Sequence, residues 1–114
     1  MNEALIDLAT FRALQEAAGK DFVAELVGTF LEEAPGMLAG LRDARAKSDA
    51  DRFRRTAHSL KSNCNTFGAT ALGAMARELE LKGVADPAGG VAALDALEAA
   101  YVPVAAALKE LAHG

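Results

Sequence analysis

An all-α fold, an antiparallel four-helix bundle with a short extra helix at the N-terminus, is what this 114-residue sequence predicts. Three observations carry that expectation. Apolar residues recur at steps of three and four along successive stretches, the repeat of one helix face. Alanine, leucine, glutamate, lysine and arginine are abundant while aromatic residues make up only 5% of the chain and tryptophan is absent, a composition that favours helix over strand. No stretch alternates apolar and polar residues for long enough to build a half-buried strand. The length suits one compact core, so residues 1–114 are read as a single domain.

Taken in order, Asp7 is placed to cap a short helix carrying Leu8, Phe11 and Leu14 on one side, which Gly19 ends. Asp21 offers the next cap, for a helix whose stripe runs through Phe22, Val23, Leu26, Val27, Phe30 and Leu31 and onward to Leu41. Pro35 is expected to kink or break that helix, which runs to about Lys47. Ser48 or Asp49 then caps a third helix ending near Gly68. Thr70 is read as the cap of a fourth, with Leu72, Met75, Ala76 and Leu79 facing inward until Gly83. Val84 to Gly90 reads as a loop, in which Asp86 before Pro87 offers an earlier helix start. Leu94, Leu97, Tyr101, Val104, Leu108 and Leu111 form the stripe of a last helix that Pro103 is expected to bend.

The third helix holds the chemistry. At about 100° per residue, Asp51, Arg54, Arg55, Lys61, Ser62 and Asn65 fall within about 60° of His58, and every one is polar. Phe53, Ala57, Leu60, Cys64 and Phe67 gather on the opposite side as a core-facing stripe. His58 is therefore expected to point away from the core. An imidazole among cations is disfavoured from taking up a further proton, and an unprotonated ring keeps a lone pair with which to attack. Once such a ring has accepted an anionic group, the same cations hold it. Side chains on a helix lean toward its N-terminus, so Ser62 leans toward His58 and offers a hydroxyl to the unreactive ring nitrogen.

Charge and composition exclude several alternatives. The net charge of −4 argues against nucleic acid. Between Arg42 and Ser62, however, seven basic residues stand against three acidic ones, a local +4 that leaves −8 on the remainder. So small a basic patch suits one anionic pocket on a protein, or one phosphoryl group. Cys64, the only cysteine, rules out an intrachain disulfide and agrees with a reducing compartment. It faces away from His58, which leaves no second soft ligand for zinc, and no metal site is expected. Gly-rich phosphate loops and an oxyanion-hole arrangement for Ser59 or Ser62 are both missing from the sequence. No segment reads as apolar enough to span a bilayer, so the expectation is a soluble, cytoplasmic protein with no membrane partner.

At Ala57-His58-Ser59-Leu60-Lys61-Ser62, followed by Gly68, Leu72 and Leu79-Glu80, the sequence resembles the histidine-containing phosphotransfer (Hpt) family. Phe30-Leu31-Glu32-Glu33-Ala34-Pro35 and the Leu/Tyr-rich last helix resemble it too. The resemblance implies a helical bundle whose histidine takes a phosphoryl group from the aspartate of one receiver domain and passes it to another. His58 would be the phospho-acceptor and Lys61 the cation steadying the phosphate. Most members carry glycine where this sequence has Ser62. Arg54, Arg55, Ser62 and Asn65 are assigned to receiver docking or ring orientation by the helical geometry alone. The implied partners are response-regulator receiver domains and a hybrid histidine kinase. The chain would bind no cofactor itself, the Mg²⁺ being on the receiver, and would act as a phosphoryl carrier and not as an enzyme. Two other readings stay open: a helical adaptor that binds a receiver or kinase without being phosphorylated, and an Hpt module of a larger hybrid kinase.

Overall fold

The structure, a computed structural model, describes residues 5–84 and 90–113. They include helices α1 (Leu8–Ala18), α2 (Lys20–Ala46), α3 (Ala50–Phe67), α4 (Thr70–Lys82) and α5 (Gly90–His113), and no strand. Pairs of residues across the seams give the helix directions. Asp43 of α2 meets Arg52 of α3, while Phe30 meets Phe67 with ring centroids 5.7 Å apart, so these two helices run in opposite directions. Lys61 opposite Glu80, with Asn65 opposite Gly73, reverses direction again between α3 and α4. Arg42 reaches Asp95 and Glu98, and Phe30 packs edge-on to Tyr101 at 6.3 Å, which sets α5 against α2. The four longer helices thus alternate up and down, and α1 closes one end, where the Asp7 amide donates to the Gly68 carbonyl at 2.8 Å.

The stripes read from the sequence supply the core. Phe11, Phe30, Leu41, Phe53, Leu60, Leu72, Leu97 and Leu108 are fully or almost fully buried, and among the described residues no polar or charged residue is. The thiol of Cys64 is enclosed with them, and burial pushes its pKa up to about 12, so it behaves as a small apolar side chain.

Helix ends follow local chemistry, with two departures from expectation. The Asp7 carboxylate accepts from the amides of Ala9 and Thr10, and Gly19 ends α1 at φ +96°. Asp21 does not cap α2: the chain reverses at Gly19 alone and resumes helix at Lys20, leaving Asp21 in the first turn. Its negative charge still suits that end of the helix. Pro35 does not break α2, and α5 likewise continues past Pro103. Both prolines lie on the exposed side, while their buried neighbours Ala34, Leu38 and Val104 keep the helices on the core. Between the two candidate caps of α3, Asp49 is the one used, accepting from the Arg52 amide at 3.1 Å, while Ser48 turns the chain at φ +54°. Thr70 is not a cap either, because the tight turn at Gly68 puts buried Ala69 in that position and Thr70 inside α4. The loop proposed over 84–90, including the Asp86 start, falls mostly outside the described residues; Gly90 already belongs to α5.

One expectation about membranes is corrected. By length and composition, the segment Val91–His113 is apolar enough to cross a bilayer, with a mean hydropathy of 1.6. Its alanines raise that value, and the helix contributes Leu94, Leu97, Val104, Ala107 and Leu108 to the bundle core. A core helix of this composition passes the same test.

Gly68 sets the angle between α3 and α4. It sits in the left-handed region at φ +85°, its amide and that of Ala69 return to the carbonyls of Asn65 and Cys64, and a Cβ there would lie 2.7 Å from the Asp7 carbonyl oxygen. Gly68→Ala is expected to destabilise the fold by about 1–3 kcal/mol, seen as a lower urea midpoint. Gly28→Ala, in mid-helix with nothing within 4 Å of the added carbon, should raise the midpoint, because alanine is the better helix former.

Candidate functional site

Helix α3 buries Phe53, Ala57, Leu60, Cys64 and Phe67, the five residues of the stripe read from the sequence. With that face committed to the core, His58 stands outward, its side chain 57% exposed. Nδ1 of the ring lies 2.9 Å from Oε2 of Glu80 on α4. The other carboxylate oxygen, Oε1, is 2.8 Å from Nζ of Lys61. One carboxylate therefore holds the ring and the ammonium together across the α3–α4 seam. Lys61 and Glu80 are both largely covered, at 22% and 19% exposure, while the imidazole they flank is open. Among the described residues, no protein group bonds Nε2 of the ring.

The ammonium of Lys61 holds the Glu80 carboxyl below its usual range; desolvation opposes it, and the imidazole of His58 adds a smaller lowering effect. Glu80 is thus an anion at neutral pH, able to accept hydrogen bonds but not to donate one. A ring nitrogen this close to an ionised carboxylate is placed to donate to it, so Nδ1 serves as the donor.

The remaining candidates are placed differently from the expectation. Ser62 is exposed but makes no bond to the ring; the ring is held by Glu80 across the seam, because the facing helix brings a charged acceptor where α3 itself offers only a hydroxyl. Arg54 and Arg55 turn back to Asp51, at 2.7 and 3.2 Å, one turn before the histidine. Asn65 lies on the same side of α3 but two turns on, with its Oδ1 against Gly73 of α4, where an added Cβ would come within 2.5 Å. Arg52 spans to Asp43, and Arg42 to Asp95 and Glu98. The basic surplus of residues 42–62 is therefore largely matched by acids, several of them on other helices. Among the described residues no three His, Cys, Asp or Glu side chains gather as a metal site. Glu80 is the residue to which the sequence reading gave no role. Its signal in the sequence was its place in the Leu79-Glu80 pair, one of the matches that carry the family resemblance, beside the inward-facing Leu79 at the edge of the seam.

A helical bundle that displays an exposed histidine beside a lysine defines a class of histidine-presenting bundles. The chain matches the family model of the Hpt domain over residues 25–102, and it belongs to that family, whose members take part in His–Asp phosphorelays as phosphoryl carriers. It is also similar to the sensor protein TorS of Escherichia coli (strain K12), 27% identical over 86 residues, which are 75% of this chain and 9% of TorS. The chain thus corresponds to a small part of that relative's length. No solved structure matches it.

The depressed carboxyl of Glu80 links stability to pH. A group whose folded-state pKa lies below its unfolded value adds stability that is present above the unfolded value and is lost as the pH falls through the folded one. The wild-type urea midpoint is therefore expected to drop on acidification below the ordinary glutamate range. In Glu80→Gln the pH 7 midpoint should be lower and the acid drop smaller, measured side by side at pH 7 and pH 3.

Proposed function

We propose that the chain is a histidine phosphotransfer protein that shuttles a phosphoryl group between receiver-domain aspartates, with His58 as the acceptor. The observation that carries this reading is the open imidazole of an Hpt-domain bundle, its Nε2 unengaged and a lysine at its side. Phosphoryl transfer asks mainly for alignment and charge neutralisation, which a rigid helix and one ammonium supply. Lys61 steadies the transferred group. Arg54, Arg55, Ser62 and Asn65 border the surface on which the receiver docks, and docking is transient. The receiver supplies the aspartate and the Mg²⁺, and this chain needs no cofactor of its own. Response-regulator receivers and a hybrid histidine kinase are the partners, in the cytoplasm, where the unpaired Cys64 thiol is at home.

A second reading has the same site working as one module of a large sensor protein. The similarity to a small part of TorS favours it. Comparing transfer to a receiver taken from a hybrid kinase with transfer to free-standing regulators separates the two: a strong preference for the former supports the module.

The carrier reading is tested by incubating the protein with a phosphorylated receiver and Mg²⁺ and following label onto it. Label that is acid-labile, alkali-stable and absent in His58→Gln is expected. Lys61→Ala should take it up at least about tenfold more slowly, the scale of one lost charge-assisted contact. Equal labelling of His58→Gln would overturn the assignment.

A further inference from the structure

We propose that a second copy of this chain docks on the outward face of α5, the two α5 helices lying antiparallel about a twofold axis that passes beside Val102. The proposal is independent of the carrier reading, because it concerns the side of the bundle away from His58.

Helix α5 leaves much of its apolar surface uncovered. No charged residue stands between Glu98 and Lys109, and only 28% of the helix's most apolar stretch is buried. Leu94, Leu97, Val104 and Leu108 fill the core, whereas Val91 and Val102 are 52% and 67% exposed. With Val102 set at zero and about 100° per residue, Val91, Asp95, Ala99, Ala106 and Lys109 all fall within about 60° of it, and all are exposed. On the α2 side a shallow cleft with Pro35, Leu38, Ala39 and Tyr101 in its walls widens the apolar surface beside Val102. A single exposed valine is ordinary. A continuous uncharged face rimmed by charges marks a contact surface.

The order of those charges says what covers it. Asp95 and Lys109 stand seven residues to either side of Val102, on the same face. Two copies laid antiparallel, with Val102 against Val102, bring Asp95 of each against Lys109 of the other, one pair at each end of the uncharged stretch. A parallel pair would set like charges together, which repel. Arg42 engages Oδ1 of Asp95 and leaves Oδ2 for the partner's ammonium. Ala99 and Ala106 keep the seam narrow, so the helix axes approach to about 8 Å, and the seven-residue spacing is that of a left-handed helix pair. A bilayer is the other apolar surface to consider, but Asp95 and Glu98 put carboxylates where a lipid headgroup layer favours lysine and arginine.

The size of the face sets the strength. At 1.5 Å per residue the 24 residues of α5 run about 36 Å. A strip about 10 Å wide then covers about 360 Å² per copy, under half of the about 800 Å² of a stable interface. The dimer is therefore weak and forms as concentration rises. Helix α5 packs on α2 and α4, so His58 on α3 stays open in both copies.

Sedimentation equilibrium of the intact protein tests this between about 10 μM and about 1 mM, the range so small an interface calls for. Wild type should pass from monomer to dimer and no further. Val102→Glu should weaken the association by at least about tenfold, as a charge set at the centre of an interface does. Asp95→Lys and Lys109→Asp should each weaken it by about fivefold, the scale of two exposed ion pairs turned to repulsion. The double variant Asp95→Lys/Lys109→Asp should regain the wild-type affinity, which a parallel pair or a different face would not produce. Thermal unfolding checks that each variant folds. A wild type that stays monomeric throughout, an association that Val102→Glu leaves unchanged, or a double variant no tighter than the single ones overturns the proposal. A monomer that floats with phosphatidylcholine vesicles overturns it as well and gives the face to a bilayer.

Discussion

Burial of one side of α3 is the constraint on which the rest of the molecule depends. Phe53, Ala57, Leu60, Cys64 and Phe67 are all enclosed, and each large member adds about 1.5–3 kcal/mol by leaving water. Rotating the helix to hide His58 would bring these residues to the surface together, so the outward histidine follows from packing. Gly68 then turns the chain back on itself. From His58 to that turn is about 15 Å of helix and from the turn to Glu80 about 18 Å, at 1.5 Å per residue. An acidic residue far along the chain thereby returns to the level of the imidazole.

Electrostatics at this surface is a matter of pairs. Arg54 and Arg55 share Asp51, Arg52 takes Asp43, Arg42 takes Asp95 and Glu98, and Lys61 takes Glu80. The exposed ones among these pairs add little stability one by one. Their effect is on orientation: they keep long, mobile side chains in defined places around the open ring. The arginines that looked like bare docking charges are held back toward the start of α3, away from the imidazole. The cation that does stand at the ring is the lysine one turn further on.

The parts of this arrangement legible in the sequence are those determined locally. The register of α3, its Asp49 cap and its Gly68 stop involve residues within a few positions of one another, and the apolar period alone separates the buried face from the histidine face. What could not be read was decided across helices. Counting charges within residues 42–62 gave a basic surplus because its partners Glu80, Asp95 and Glu98 lie on α4 and α5. Ser62 looked like the group to orient the ring because it is on the same helix, whereas a facing helix supplies a stronger acceptor. Asp21 and Thr70 have the chemistry of caps, but at each place a glycine reverses the chain so sharply that the helix starts before the capping side chain can be used. The hydropathy of α5 was under-read: its leucine stripe was read correctly as core-facing, but the alanines between those leucines lift the whole segment to the level of a membrane span.

On the carrier reading, sharing one carboxylate between His58 and Lys61 addresses a difficulty that every intermediate carrier meets. A site that strongly stabilised only the phosphorylated state would take the group readily and then keep it, because each interaction gained on arrival must be surrendered on departure. An unpaired lysine beside the ring would act in that way. Lys61 already has an anionic partner before any phosphoryl group arrives, so what it gains is the difference between two anions. The imidazole is likewise already bound at Nδ1 before it reacts. Both groups thus enter the reaction with their main interactions made, and the free energies of the empty and loaded states are drawn together, which lets the phosphoryl group move in either direction according to the receiver that docks.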